Sequence, residues 1–203
     1  MKKSPLSNPL LLSLALGVSL TACTTTHTTQ TKCQATPKTG EFALQVLGLQ
    51  NGHFQDKHLL SENYGFGCTG GNISPALAWT NAPVGTKSFV VTLYDKDAPT
   101  GLGWMHWVVA NIPANVSQLP EGIRADGQNL PQNALQTRTD FGVAGFGGTC
   151  PPKDSTHRYE ISVTALSVDK LPNITADATP ALVGYFTQKY ALGQAKVTLV
   201  EGR

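Results

Sequence analysis

The sequence predicts a mainly β protein, an antiparallel β-sandwich with peripheral helices. Three observations carry that prediction. Charged residues make up only 14% of the 203, while glycine (20) and proline (13) are frequent, a balance that suits a turn-rich β protein better than a helical bundle. Runs of β-branched and aromatic residues recur between glycine, proline and asparagine. Only one segment carries a full set of helix signals. The length suits one domain with a real core, and no internal repeat is visible.

The first element is a leader. Lys2 and Lys3 form a positive start, and Leu10 to Ala22 is an apolar run of 13 residues, short of the ~20 needed to span a bilayer. Residues 1–22 therefore read as a signal peptide. Its end, Leu20-Thr21-Ala22-Cys23, resembles a bacterial lipobox, in which the cysteine becomes lipid-modified; the alternative is an ordinary secretory signal. Acyl chains on Cys23 would anchor the mature protein in a membrane. Thr24, where an aspartate would signal inner-membrane retention, leans toward the outer membrane, with the protein facing the periplasm of a bacterial envelope. Residues 23–40, with "TTTHTTQTKCQATPKTG" after the cysteine, hold almost nothing to bury and read as a flexible tether with a solvated His27. The folded domain is expected over 41–203. Without Lys2 and Lys3, the 15 basic residues fall to 13 against 13 acidic. That neutrality, with no basic patch, argues against a nucleic-acid partner.

Strands are expected at Phe42–Leu47, Ala76–Thr80, Lys87–Tyr94, His106–Ile112, Tyr159–Leu166 and Lys196–Val200. The helix is expected over Pro180–Leu192, with Thr179 as N-cap, Pro180 at the first helical position and Gly193 just past the end. Leu182, Phe186 and Tyr190 recur every four residues, with Val183 beside them, and form an apolar stripe for the core.

Beyond Cys23, Cys33 lies in the tether, while Cys68 and Cys150 lie in two glycine-rich loops, "GFGCTGG" and "GFGGTCPP". Export to an oxidising compartment permits disulfides, and Cys68 and Cys150 are expected to pair. A bridge from Cys33 to either is the alternative. Zinc is the rival reading, but lone cysteines 82 positions apart without a CxxC make a poor zinc set.

The stretch "YDKDAPTGLGWMHWVVANIP" carries the most chemistry. If the strand before it runs on to Asp97, Asp95 and Asp97 share a face and Lys96 takes the other. An EF-hand is rejected by counting from Asp95: positions 5, 6 and 12 are Pro99, Thr100 and His106, where an oxygen ligand, Gly and Glu are required. His106 and His157 each open an apolar run. With the aspartates they make either a metal or proton-transfer set at one rim or separate strand-end residues. No GxSxG or HExxH is present to supply catalytic machinery.

Three segments together resemble one family. "YDKDAPTGLGWMHWVVANIP", "GNISPALAW" and "GFGGTCPPKDSTHRYEISVTAL" are similar to the phosphatidylethanolamine-binding protein family, in its bacterial Raf kinase inhibitor-like branch. The resemblance runs from about Glu41 to Arg203. It implies a β-sandwich with a small anion pocket that takes phosphate-like groups and lipid head groups. Carried over by motif, ligand binding falls on Asp95, His106, Gly148, Pro151, Pro152, His157 and Tyr159. Asp97 and Pro99 are structural, Asp97 bonding to turn N–H groups, and the Ala98–Pro99 bond is implied to be cis. A charged His106 or His157 and the backbone amides of Gly147–Cys150 would donate to the anion. Pro75, Trp79 and Trp104 either line the rim or pack in the core. Two departures stand out: Lys96 replaces a proline between the aspartates, and Cys150 replaces a glycine before Pro151-Pro152. The resulting expectation is a non-enzymatic binding protein with no metal or cofactor, a phosphate-bearing ligand and a membrane anchor. A periplasmic protein-interaction module and a hydrolase using the same pocket are the alternatives.

Overall fold

The computed structural model describes residues 40–203. The leader, Cys23, His27, Cys33 and nearly all of the tether lie outside the described residues. Eight strands and one α-helix follow in the order β1 (Ala43–Val46), β2 (Leu77–Thr80), β3 (Ser88–Asp95), β4 (Trp104–Pro113), β5 (Gln118–Leu119), β6 (Leu135–Gln136), β7 (Thr156–Leu166), α1 (Pro180–Tyr190) and β8 (Ala191–Gly202). They form two antiparallel sheets, three strands in the order β1-β2-β5 and five in the order β6-β4-β3-β7-β8. Two 3₁₀ turns, Asp56–His58 and Glu62–Tyr64, lie between β1 and β2. Among the described residues no helix is long and apolar enough to cross a membrane.

The two layers meet over one core. Leu44, Val46, Leu77 and Trp79 of the small sheet pack with Phe89, Val91, Leu93, Trp107, Tyr159, Ile161 and Val163 of the large one. The other face of the large sheet is covered too. Val90, Val108, Ala110 and Leu166 pack there with Leu171, Ala178 and Val183 of α1. That is why Ser88–Leu93 and His106–Ile112 read as almost unbroken apolar runs: alternation disappears when both faces of a strand are buried. Trp79 belongs to this core, and its rim alternative is not met.

Several boundaries differ from expectation for local reasons. β8 spans Ala191–Gly202 and pairs with all of β7, so tertiary pairing extends a strand that composition marks only over Lys196–Val200. Helix α1 stops at Tyr190, and Ala191 is already extended (φ −64°, ψ 131°). Gly193 is therefore not a helix cap but a strand residue, where a Cβ would lie 2.9 Å from the Pro83 ring. Thr179 does cap the helix, its side chain accepting from the Leu182 amide. The stripe that meets the sheet is Val183, Phe186 and Tyr190 with Thr187, whereas Leu182 faces outward. β5 and β6 are two residues each and carry too little periodicity to be seen in sequence.

All peptide bonds among the described residues are trans, Ala98–Pro99 included, which corrects the cis expectation. The Thr100 amide donates to the Ala98 carbonyl at 2.7 Å, closing a three-residue turn whose centre, Pro99, already has the φ such a turn needs.

Cys68 and Cys150 form a disulfide, as expected. The bridge joins two loops 82 residues apart in sequence, a constraint on the unfolded chain worth ~4–5 kcal/mol in the chain-entropy picture. Urea denaturation of the Cys68→Ala/Cys150→Ala protein should therefore show a loss of roughly that size. Reductant should lower the wild type by a similar amount and leave the double variant unchanged.

Candidate functional site

The site lies at one end of the large sheet and follows from its topology. β3 ends where its antiparallel neighbours β4 and β7 begin, with Asp95 opposite Trp104 on one side and Tyr159 on the other. The last residues of one strand and the first of two others are thus brought together. The β3–β4 register shifts between Leu93 and Tyr94: Leu93 faces Trp107 and Tyr94 faces Met105. His106 is the unpaired residue of this bulge, a device that re-aims a side chain out of the ladder.

Asp95 and His157 are both buried and joined, Nδ1 of the imidazole lying 2.7 Å from Asp95 Oδ2. A carboxylate oxygen accepts, so Nδ1 carries the hydrogen. The other oxygen, Oδ1, accepts from the Asp97 amide at 2.9 Å. It is therefore Asp95 that ties down the turn. Asp97 lies beyond the strand and turns outward to Arg158, accepting from its backbone amide at 2.7 Å and its guanidinium at 2.6 and 2.8 Å. The expectation that both aspartates share a face fails because pairing stops at Asp95. The Arg158 guanidinium and amide hold the Asp97 carboxyl well below the usual carboxylate range.

His106 is held from the other side. Its Nδ1 lies 3.0 Å from the Gly147 carbonyl and 3.1 Å from that of Gly148, so Nδ1 again carries the hydrogen. Burial pushes the His106 pKa below its ordinary value; the two carbonyls and the negative charges of Asp95 and Asp140 oppose this without overcoming it. In the protein without ligand the ring is thus biased toward its neutral form. Two amides of the expected backbone nest are committed elsewhere. The Gly147 amide donates to the His106 carbonyl and the Gly148 amide to Asn72 Oδ1, so this loop turns its carbonyls to the site and spends those two amides elsewhere. Glycine is required at 148 because a Cβ would lie 2.3 Å from the His58 carbonyl oxygen.

Tyr159 is fully buried. Its ring stacks at 6.3 Å on His157 and meets His106 edge-on at 5.4 Å. Its hydroxyl makes no hydrogen bond of ordinary length among the described residues but lies near the Asp95 carboxylate and the Cys150 amide, and burial, then the Asp95 charge, raises its pKa and keeps the phenol protonated.

Asp95, His106 and His157 line one wall of a cavity of about 170 Å³, with Pro99 and Pro152 at its side. Gly148, Pro151 and Tyr159 stand behind the lining rather than in it, and Pro75 takes no part. Sequence reasoning missed the facing wall. Phe66, Trp104 and Phe141 meet edge-to-face with centroids 5.4–6.3 Å apart, and Leu60, Thr100 and Cys150 complete it. Trp104, for which the sequence allows rim or core, is at the rim. Phe66 and Phe141 sit in glycine-rich loops where no periodicity marks them. The available signal was that each is an aromatic residue flanked by glycine. The disulfide forms part of the lining, as Cys150 does. Among the described residues, no group of three or more His, Cys, Asp or Glu is placed to share a metal ion.

Residues 50–201 match the family model described as phosphatidylethanolamine-binding protein. The chain is 54% identical over 138 residues to the UPF0098 protein YbcL of Escherichia coli K12, covering 67% of this chain and 75% of that one. It is 49% identical over 134 residues to YbhB of the same organism, covering 66% and 84%. A crystal structure of E. coli YbcL, described as a new member of the mammalian PEBP family, superposes with a TM-score of 0.74 at 47% identity over 80% of this chain and 99% of that one. CT736 of Chlamydia trachomatis, described as a putative homologue of the same family, gives 0.62 at 25% identity over 81% and 99%.

A neutral buried His106 has a stability consequence. Its folded pKa is below the unfolded one, so between the two values the unfolded chain binds more protons. Stability is full above the ordinary histidine value and falls as pH drops below it, by up to about 1.4 kcal/mol per pH unit for one group. Urea denaturation of wild type and His106→Gln across mildly acidic pH should show that the difference in slope disappears above the ordinary histidine value.

Proposed function

The chain belongs to the phosphatidylethanolamine-binding protein family, and from that premise we propose that its pocket takes a small anionic group, a phosphate or a phosphate-bearing head group. Membership supports a binding protein in general. One observation supports the finer reading above the others: His106 and His157 both line the cavity with Nδ1 committed to protein acceptors, and neither Nε2 has a protein partner. Two ring nitrogens then remain for a ligand in a site also lined by the aromatic rings of Phe66, Trp104 and Phe141, the last packed edge-on against His106 at 5.3 Å, an arrangement suited to an anionic head and an organic remainder.

The hydrolase alternative has one observation on its side, since a carboxylate orienting a histidine at 2.7 Å is also the arrangement of a general base. It lacks a nucleophile. Of the residues lining the cavity, Cys150 is oxidised, and the Thr100 hydroxyl donates to the Gly103 carbonyl at 2.6 Å.

We further propose that lipid on Cys23 holds the domain at the bacterial envelope, facing the periplasm from the outer membrane, with residues 24–40 as the tether. Cys23→Ser should then move the protein from the detergent phase to the aqueous phase on phase separation. An unchanged distribution would argue against the anchor.

For the pocket, titration calorimetry of inorganic phosphate and phosphoethanolamine into the full chain in detergent gives the test. His106→Ala or His157→Ala should weaken binding at least about tenfold, ~1.4 kcal/mol, with the fold intact by circular dichroism. Equal affinity in wild type and both variants would place the anion elsewhere.

A further inference from the structure

We infer that the Cys68–Cys150 bridge is a thiol-exchange site that opens into the pocket: a small-molecule thiol entering the cavity attacks the Cys150 sulfur and expels Cys68 as a thiolate beside Arg203. This goes beyond the anion reading and does not depend on which group the pocket otherwise takes.

The two sulfurs are placed unequally. Cys150 is half-buried and lines the cavity, whereas Cys68 is buried and does not line it. An attacking thiolate must reach one sulfur of a disulfide, and the other sulfur then departs. Access from the cavity therefore assigns Cys150 as the point of attack and Cys68 as the leaving group.

Charge is placed for the same direction. Arg203, the residue after β8, sends its guanidinium to the bridge, with Nη1 3.1 Å from the Cys68 sulfur and 3.6 Å from that of Cys150. The same nitrogen donates to the Phe66 carbonyl at 3.4 Å. Among the described residues no carboxylate forms an ion pair with it, in contrast to Arg158, which is held by Asp97. The Arg203 backbone is fixed, its amide donating to the Ser155 carbonyl and its carbonyl accepting from the Asp154 amide. A disulfide sulfur is a weak acceptor and gains little from a guanidinium. A thiolate in the same place gains a charge-assisted partner, and the nearer sulfur, Cys68, gains more.

The step balances with the thiol as reductant and the bridge as oxidant. The thiol gives its proton to solvent, its sulfur bonds to Cys150, and the pair from the broken Cys68–Cys150 bond leaves on Cys68. Attack by the Cys68 thiolate on the mixed disulfide reverses the step and releases the thiol. While the adduct lasts, its added group lies on a residue of the cavity lining, and the segment carrying Phe66 is no longer tied to the loop that carries Cys150. Thiolation thus closes the pocket and loosens its aromatic wall.

The test uses the full chain in detergent. Free thiols are first blocked with iodoacetamide, which leaves the bridge intact. Glutathione is then added, the reaction is quenched with N-ethylmaleimide, and the products are mapped by mass spectrometry. Glutathione should be found on Cys150 and maleimide on Cys68, at least about tenfold more often than the reverse. Arg203→Gln should slow the exchange about tenfold, and Arg203→Lys should restore most of the rate. An arginine that only braced the loops would give the opposite sign, because its loss would expose the bridge and speed the exchange. Trp104 emission, taken as the difference from Trp104→Phe, should change at the rate of thiolation. Glutathione on Cys68, an even split, or no exchange without denaturant would overturn the exchange site. Faster exchange in Arg203→Gln would overturn the role of the guanidinium, and an unchanged Trp104 signal would overturn the closure of the pocket. An Arg203→Gln protein that fails to fold leaves the wild-type map decisive.

Discussion

Both faces of the large sheet are covered, and the remaining features of this molecule depend on that constraint. With the small sheet on one side and α1 on the other, most of β3 and β4 is buried on both faces, so these two strands are apolar along most of their length, while β7 also carries Arg158, Glu160, Ser162 and Thr164. A charge within them is costly unless paired. Asp95, His106 and His157 accordingly lie at or near strand ends, while Thr92 and Ser162 satisfy each other within the sheet. Because the three strands are antiparallel, the end of β3 and the starts of β4 and β7 coincide. Asp95 and His157 meet there and satisfy each other. The site is thus the place where a sheet covered on both faces first allows polar groups, and the Asp95–His157 hydrogen bond is what makes that allowance tolerable.

The second wall comes from a different mechanism. The loop from Gly145 to Pro152 has no strand register to hold it, and it is positioned by close backbone approach. Gly148 lies against the His58 carbonyl, nearer than any side chain permits, and its amide is tied to Asn72. The disulfide then links this loop to the segment carrying Phe66, so one covalent bond joins the aromatic wall to the loop whose carbonyls orient His106. Stability and pocket shape are coupled at this point, since the groups that fix the loop also set the direction of the imidazole.

Electrostatically the pocket is unusual for one read as an anion site. It has no fixed positive charge in its lining, a buried carboxylate in its wall and a histidine held neutral by desolvation. The cationic side chains near it are diverted: Arg158 to Asp97 and Arg203 to the sulfurs.

Much of this was legible in the residues themselves. Sparse charge with frequent glycine and proline, together with unbroken β-branched runs, determined the sandwich and its central strands, because a strand buried on both faces permits little else. Thr179-Pro180 marked the start of α1, and two cysteines in glycine-rich loops marked the disulfide. The family motifs named Asp95, His106 and His157. Tertiary structure decided what no local pattern encodes. Pairing with β7 extended β8 to Ala191 and removed Gly193 from the helix end. The bulge at His106 turned one imidazole toward two carbonyls of a loop 41 and 42 residues away, and strand termination at Asp95 sent Asp97 out to Arg158. Phe66 and Phe141 became a wall only because a disulfide and a turn bring their loops over the sheet end. The physical reason is the same in each case: local sequence sets which conformations a segment prefers, whereas the proton on a ring nitrogen and the direction of a carboxylate are set by partners that the chain supplies from far away.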